Sequence, residues 1–148
     1  MMGVESAVYR VIPADGTSEQ QVSALLDAGA ERRGESRLVL RGRRYWIDSE
    51  VGVPAPSIGL RVSFSNPVDV VPEIRRVFGV IASAGSGDVV DPTAKRRFSV
   101  DDAAKVEQLL ADYVRRRELF QRHFGPFEVA VSAGDVFRLM RERSAERP

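Results

Sequence analysis

The sequence predicts an α+β fold: one mixed or antiparallel sheet covered by helices, with a long helix over about 100–124. Residues 58–64 set Ile58, Leu60, Val62 and Phe64 against Gly59, Arg61 and Ser63, the period of two expected of a half-buried strand. Val70, Ile74, Val77, Phe78 and Ile81 recur at the helical period instead. Segments of the two kinds follow one another as strand, helix, hairpin, strand, helix, strand and two helices, without the strict alternation that builds a parallel sheet. The 148 residues match one domain, expected to span 1–148 with a frayed tail from about 144.

Residues 7–13 (AVYRVIP) alternate as a strand, and the Ala14-Asp15-Gly16 turn ends it. Thr17 and Gln20 have the spacing of a capping box and open a helix with Val22, Leu25, Leu26 and Ala30 on one stripe, running to about Gly29. Residues 37–50 (RLVLRGRRYWIDSE) read as a hairpin: Leu38, Val39 and Leu40 go out, Arg41 and Gly42 turn, and Tyr45, Trp46 and Ile47 return. GVPAPS at 52–57 is a stiff connector rather than a domain linker, because too little chain precedes it for a complete core. Beyond the 58–64 strand, Asn66 followed by Pro67 predicts a helix N-cap with proline at the first helical position, and Asp69 places negative charge where the helix dipole favours it. A glycine turn at 85–87 leads to a short strand, 88–91. Ser99 and Asp102 open the long helix, which Gly125 and Pro126 close. Residues 127–131 read either as a strand before a terminal helix or as part of one helix broken at Gly134.

Composition narrows the chemistry. Lys plus Arg number 22 against 21 Asp plus Glu, a formal charge of +1, so there is no overall field to draw polyanions. With no cysteine, disulfides, thiolate nucleophiles, iron–sulfur clusters and cysteine zinc sites are excluded. The start MMGVESAVYR lacks the basic-then-apolar pattern of a secretory signal, and no apolar run approaches the roughly 18 residues of a membrane helix. A cytoplasmic chain without membrane contact is expected.

The run RRRELFQRHF at 115–124 invites a nucleic-acid or catalytic reading, which helical geometry divides. At about 100° per residue from Val106, Leu110, Tyr113, Phe120 and Phe124 share the core stripe, Arg115 and Arg122 face solvent, and Arg116 and His123 lie on one flank. Arg117 falls at about 20°, inside the apolar stripe, where an unpaired charge would cost several kcal/mol. Its guanidinium is expected to reach the edge, to pair with a carboxylate from a neighbouring element, or to form an anion site. His123, the chain's one histidine, supplies neither a zinc ligand set nor an acid–base pair and suits a helix C-terminus.

No motif demands catalysis. The GSG at 85–87 precedes a strand and lacks the lysine of a phosphate loop. Asp48 with Glu50, or Asp88 with Asp91, are carboxylate pairs of a spacing that chance supplies, and Ser57, Ser63, Ser65 and Ser132 have no nucleophile-elbow setting. No catalytic residue, metal ligand or cofactor is expected. The candidate binding residues are Arg117, Arg61, Arg43, Arg44 and Trp46. They predict a small non-enzymatic protein-interaction module, of an accessory bacterial immunity-protein or adaptor kind, that covers its partner with the Arg61 face of the sheet or the arginine-rich turn, since arginine and tryptophan are typical hot-spot residues. One alternative is a nucleic-acid-associated regulator, in which RGRR at 41–44 and KRR at 95–97 contact phosphates while Tyr45, Trp46 and Phe98 stack on bases. Another is a small-molecule-binding domain or enzyme with an anion site near Arg117.

Overall fold

The computed structural model describes residues 5–14, 18–52 and 57–125. They form strand β1 (Ser6–Pro13), helix α1 (Ser18–Asp27), strands β2 (Glu31–Arg32), β3 (Arg37–Arg41), β4 (Trp46–Val51) and β5 (Ile58–Ser63), helix α2 (Val70–Ala84), strands β6 (Gly87–Asp91) and β7 (Arg96–Ser99), and helix α3 (Ala103–Phe124). The strands make one sheet in the order β2-β3-β4-β5-β1-β6-β7, antiparallel at every pairing. This is an α+β fold, and its sheet is antiparallel rather than mixed. Strands β2 and β7, at the two edges, are absent from the sequence expectation because their short, charged segments carry no apolar alternation. The Thr17 cap and the 127–131 strand lie outside the described residues.

Strand alternation sorts the sheet into two faces. Ala7, Tyr9, Val11, Leu38, Leu40, Ile47, Ile58, Leu60, Val62, Val89 and Phe98 point to one side, where they share a single core with Leu25 of α1, Ile74, Val77, Phe78 and Ile81 of α2, and Val106, Leu109, Leu110, Tyr113 and Phe120 of α3. All three helices therefore cover one face. At Gly87 the β6 backbone passes so close to β1 that a Cβ would stand 2.8 Å from the Ile12 carbonyl oxygen, which explains a glycine opening a strand. Gln21, fully buried in α1, donates its amide to the Gly85 carbonyl at 3.0 Å and so ties α1 to the end of α2.

Asn66 is not the helix cap its sequence suggests. Helix α2 starts at Val70 after Asp69, and Asn66, fully buried, uses its side chain on the sheet. Its Oδ1 accepts the Trp46 N–H at 2.8 Å, and its Nδ2 donates to the carbonyls of Trp46 at 3.0 Å and Ser63 at 2.9 Å. One amide thus pairs with both main-chain groups of the first β4 residue as a neighbouring strand would, and binds the end of β5 as well. The local preference of asparagine for a cap loses to this longer-range bonding of buried backbone groups.

Helix α3 starts at Ala103 rather than at 100. Asp102 is the cap that receives the Lys105 N–H at 3.1 Å, while Ser99 receives the Asp101 N–H instead. The predicted closure is present: Gly125 adopts a φ of +86° and returns its N–H to the Gln121 carbonyl at 2.7 Å. Tyr113 Oη donates to the Ser63 carbonyl at 2.8 Å, and Phe64 packs against Tyr113 and Phe120 with ring centres 5.4 and 5.9 Å apart.

Asn66→Ala is expected to cost about 3 kcal/mol, because it leaves the Trp46 N–H and carbonyl unpaired and removes one of the donors to the Ser63 carbonyl. Asn66→Asp should also destabilise, since a carboxylate oxygen would replace the donor facing those two carbonyls. Urea midpoints of the two variants check this; wild-type midpoints would remove Asn66 from its central place.

Candidate functional site

The strand face turned away from the helices carries the exposed charge. Strand registers place Arg37 opposite Glu50, Glu50 opposite Gly59, Gly59 opposite Arg10, Arg10 opposite Val90 and Val90 opposite Arg97. These residues form one transverse row over β3, β4, β5, β1, β6 and β7, which at about 4.8 Å between strands extends about 24 Å. Arg37, Glu50, Arg10 and Arg97 are exposed, and Gly59 leaves a notch between Glu50 and Arg10. Each guanidinium has a fixing contact: Arg10 Nη1 donates to Ser57 Oγ at 2.9 Å, Arg97 Nε to Asp88 Oδ2 at 3.0 Å, and Arg37 Nη2 stands 3.6 Å from Asp48 Oδ1. Each therefore keeps further N–H groups for an external acceptor.

Arg61 sits one row away, opposite Asp48 and Val8, on the same face. It is half-buried and already engaged, with Nη2 on the buried Glu5 carboxylate and Nε on Ser6 Oγ at 3.1 Å. Trp46 is half-buried on this face, its indole N–H donating to Asp48 at 2.9 Å. Arg43 and Arg44 are exposed in the β3–β4 turn, where Arg44 lies 3.8 Å from Asp69. Tyr45 packs against the core and Phe98 lies within it.

Arg117 belongs to a different place. Its Nε donates to the Asn66 carbonyl at 2.7 Å and its Nη2 meets Gln121 Oε1 at 3.3 Å, while Gln121 Nε2 donates to the Phe64 carbonyl at 2.8 Å. Of the partners expected for Arg117, a carboxylate is not the one that its Nε meets: a main-chain carbonyl, that of Asn66, takes this N–H without a second charge. Arg117 and Trp46 therefore meet the same residue, Asn66, from opposite sides of the corner, while Arg61 and the exposed row lie elsewhere.

Comparison with known proteins is silent. No protein-family model matches the chain, and no curated protein or solved structure matches it either.

Two features bear on chemistry. Among the described residues no group of three or more His, Asp and Glu side chains gathers as a metal site. Asp88 and Asp91 lie on opposite faces of β6, Asp88 toward Arg97 and Asp91 in the interior, so they cannot share an ion. On the helical face, Arg96 of β7 joins Asp91 of β6 to Asp112 of α3, with Arg116 4.0 Å from Asp112, an ion-paired group that sequence reasoning missed because its members come from three separate elements. The exposed row was missed for a related reason: alternation gives each strand's faces but not the registers that align Arg37, Arg10 and Arg97.

Burial pushes the hydroxyls of both Tyr9 and Tyr113 well above the ordinary phenol range, with Asp91 adding to the rise at Tyr9 and the neighbouring Tyr9 to that at Tyr113. In the unfolded chain both would ionise near pH ~10. As pH rises the unfolded state thus loses its protons first, so this stabilisation is whole below about pH 10 and declines above it. Melting temperature should fall steeply from about pH 10 upward. Tyr9→Phe should melt no lower than wild type at pH 7 and fall less at high pH. An unchanged alkaline profile in this variant would contradict the assignment.

Proposed function

We propose that the protein is a protein-binding module that receives an acidic partner on the row from Arg37 to Arg97. The observation that carries this reading is the alignment of Arg37, Arg10 and Arg97 in one exposed register on the face away from the helices. Three guanidinium forks at fixed spacings suit carboxylates presented by an extended segment or sheet edge, because arginine engages carboxylates through directed, paired N–H groups. Preorganisation by Ser57, Asp88 and Asp48 reduces the side-chain entropy lost on docking. An immunity-type or adaptor-type role is consistent with such a surface.

A protein partner is favoured over nucleic acid by the fate of the aromatic rings. Phe98 is in the core, Tyr45 packs against it, and the Trp46 indole N–H is tied to Asp48. These rings do not extend the arginine row as a stacking platform for bases.

Capture from nuclease-treated lysate of the source organism should retain a stoichiometric protein on the wild-type chain. Arg37→Glu combined with Arg97→Glu should reduce that capture by at least about tenfold, roughly the loss of one or two charge-assisted contacts. Arg115→Glu, on the exposed side of α3, should leave it unchanged. Retention of nucleic acid alone, or equal loss from the α3 variant, would overturn the proposal.

A further inference from the structure

The sheet ends at β7, and the strand registers fix which way its main chain points. The Val100 N–H donates to the Gly87 carbonyl at 3.0 Å, which makes these two residues, opposite each other at the end of the β6–β7 register, a hydrogen-bonded pair. Such pairs alternate with wide ones along an antiparallel ladder. Phe98 with Val89 and Arg96 with Asp91 are therefore bonded, whereas Arg97 with Val90 and Ser99 with Asp88 turn their main-chain groups away from each other. On the β6 side those groups reach β1, in step with the Ala14 N–H that donates to the Ser86 carbonyl at 3.0 Å. On the β7 side no further strand follows among the described residues.

The outward groups are the N–H and carbonyl of Arg97 and of Ser99. The Ser99 carbonyl turns to α3 and takes the Asp102 N–H at 2.9 Å. This leaves the Arg97 N–H, the Arg97 carbonyl and the Ser99 N–H without a partner among the described residues, and both residues are exposed. A free edge of this kind is a template for one more strand.

The side chains decide which strand the edge accepts. Arg97 lies on the face away from the helices, held through Nε by Asp88 and still 60% exposed. Lys95, exposed in the β6–β7 turn, adds a second cation. Phe98 points the other way, into the core beneath the helices. A second copy of the chain is a poor occupant, because pairing β7 with itself about Arg97 sets one arginine directly opposite another, and such like-charge pairs are destabilising. A carboxylate opposite Arg97 reverses the sign of that interaction. The next residue of the same strand then falls opposite Phe98 on the helical side, where an apolar side chain fits.

We propose that β7 is a pairing edge for an extended partner segment in which carboxylate and apolar residues alternate. The Arg97 N–H and carbonyl bond the main chain of the partner residue whose carboxylate meets the Arg97 fork, and the Ser99 N–H takes a further carbonyl. This inference rests on the docking reading and deepens it: Arg97 ends the exposed row, so a partner seated on the row continues the sheet at β7. Side-chain charge selects the segment, and main-chain bonds hold it in register.

The test titrates the isotope-labelled full chain with a capped synthetic peptide in which glutamate and valine alternate, following the Arg97 and Ser99 amide resonances by NMR. Both should shift saturably, and both amides should exchange with solvent more slowly in the complex. The same peptide N-methylated at every glutamate keeps its carboxylates but loses the donors that meet β7, and should bind at least about tenfold more weakly. A peptide with lysine in place of glutamate should not bind. Equal binding of the methylated peptide, or no saturable response at Arg97 and Ser99, would overturn edge pairing and leave the row as a charged docking surface. Equal binding of the lysine peptide would overturn the charge selection. The docking reading itself fails on a different result, capture that is indifferent to Arg37→Glu combined with Arg97→Glu.

Discussion

The constraint on which the rest of the structure depends is the side-chain amide of Asn66. The chain must leave β5 and turn toward α2, and at that point β4 begins beside it with main-chain groups that need partners. Asn66 supplies them by imitating a peptide unit, accepting from Trp46 and donating back to it. Its own carbonyl then receives Arg117, and the Ser63 carbonyl that it shares with Tyr113 receives that phenol. Sheet end, hairpin and long helix are all registered to the segment Ser63–Asn66. Fixing Trp46 there also fixes how β4 runs along β5, and hence that Glu50 faces Gly59 and Arg37 enters the row with Arg10. A buried amide at one corner thereby determines an exposed charge pattern farther along the same strands.

The two faces of the sheet treat charge differently. On the exposed row, pairs such as Arg97 with Asp88 are solvated and contribute little to stability, typically below about 1 kcal/mol each. Their effect is to hold a guanidinium in position. On the helical face, Asp91 is about 1% exposed and Arg96 is its direct cross-strand neighbour, so pairing there is a condition of burial. Arg116 adds a cation over the Phe64 ring, which also packs against Tyr113 and Phe120, so the charged cluster and the aromatic core share a wall.

How far these features could be read from sequence depended on their range. The 58–63 strand, the α2 stripe and the Gly125 closure were legible because each is set by neighbours within one or two turns of chain. Asn66 was misread because Asn-Pro is a good local cap signal, while the pairing that overrides it joins residues 20 positions apart. Arg117 was correctly placed inside the apolar stripe of α3, but periodicity does not reveal a carbonyl 51 residues earlier as its acceptor. Arg61 was legible as a member of the polar face, though not as the partner of Glu5, and the exposed row needed five strand registers at once. The opposite facing of Asp88 and Asp91 was available from the period of two alone. The ion-paired group of Asp91, Arg96 and Asp112, joining β6 and β7 to α3, was not.

The Asn66-set registers build one arginine row on the exposed face, which we propose meets a partner. Arginine-selective modification with phenylglyoxal, read residue by residue by mass spectrometry with and without the captured partner, tests it most directly. Protection of Arg10, Arg37 and Arg97 on complex formation, with Arg75 and Arg115 on the helices modified equally in both states, is the predicted result. Protection of Arg75 and Arg115 with the row still reactive would contradict it.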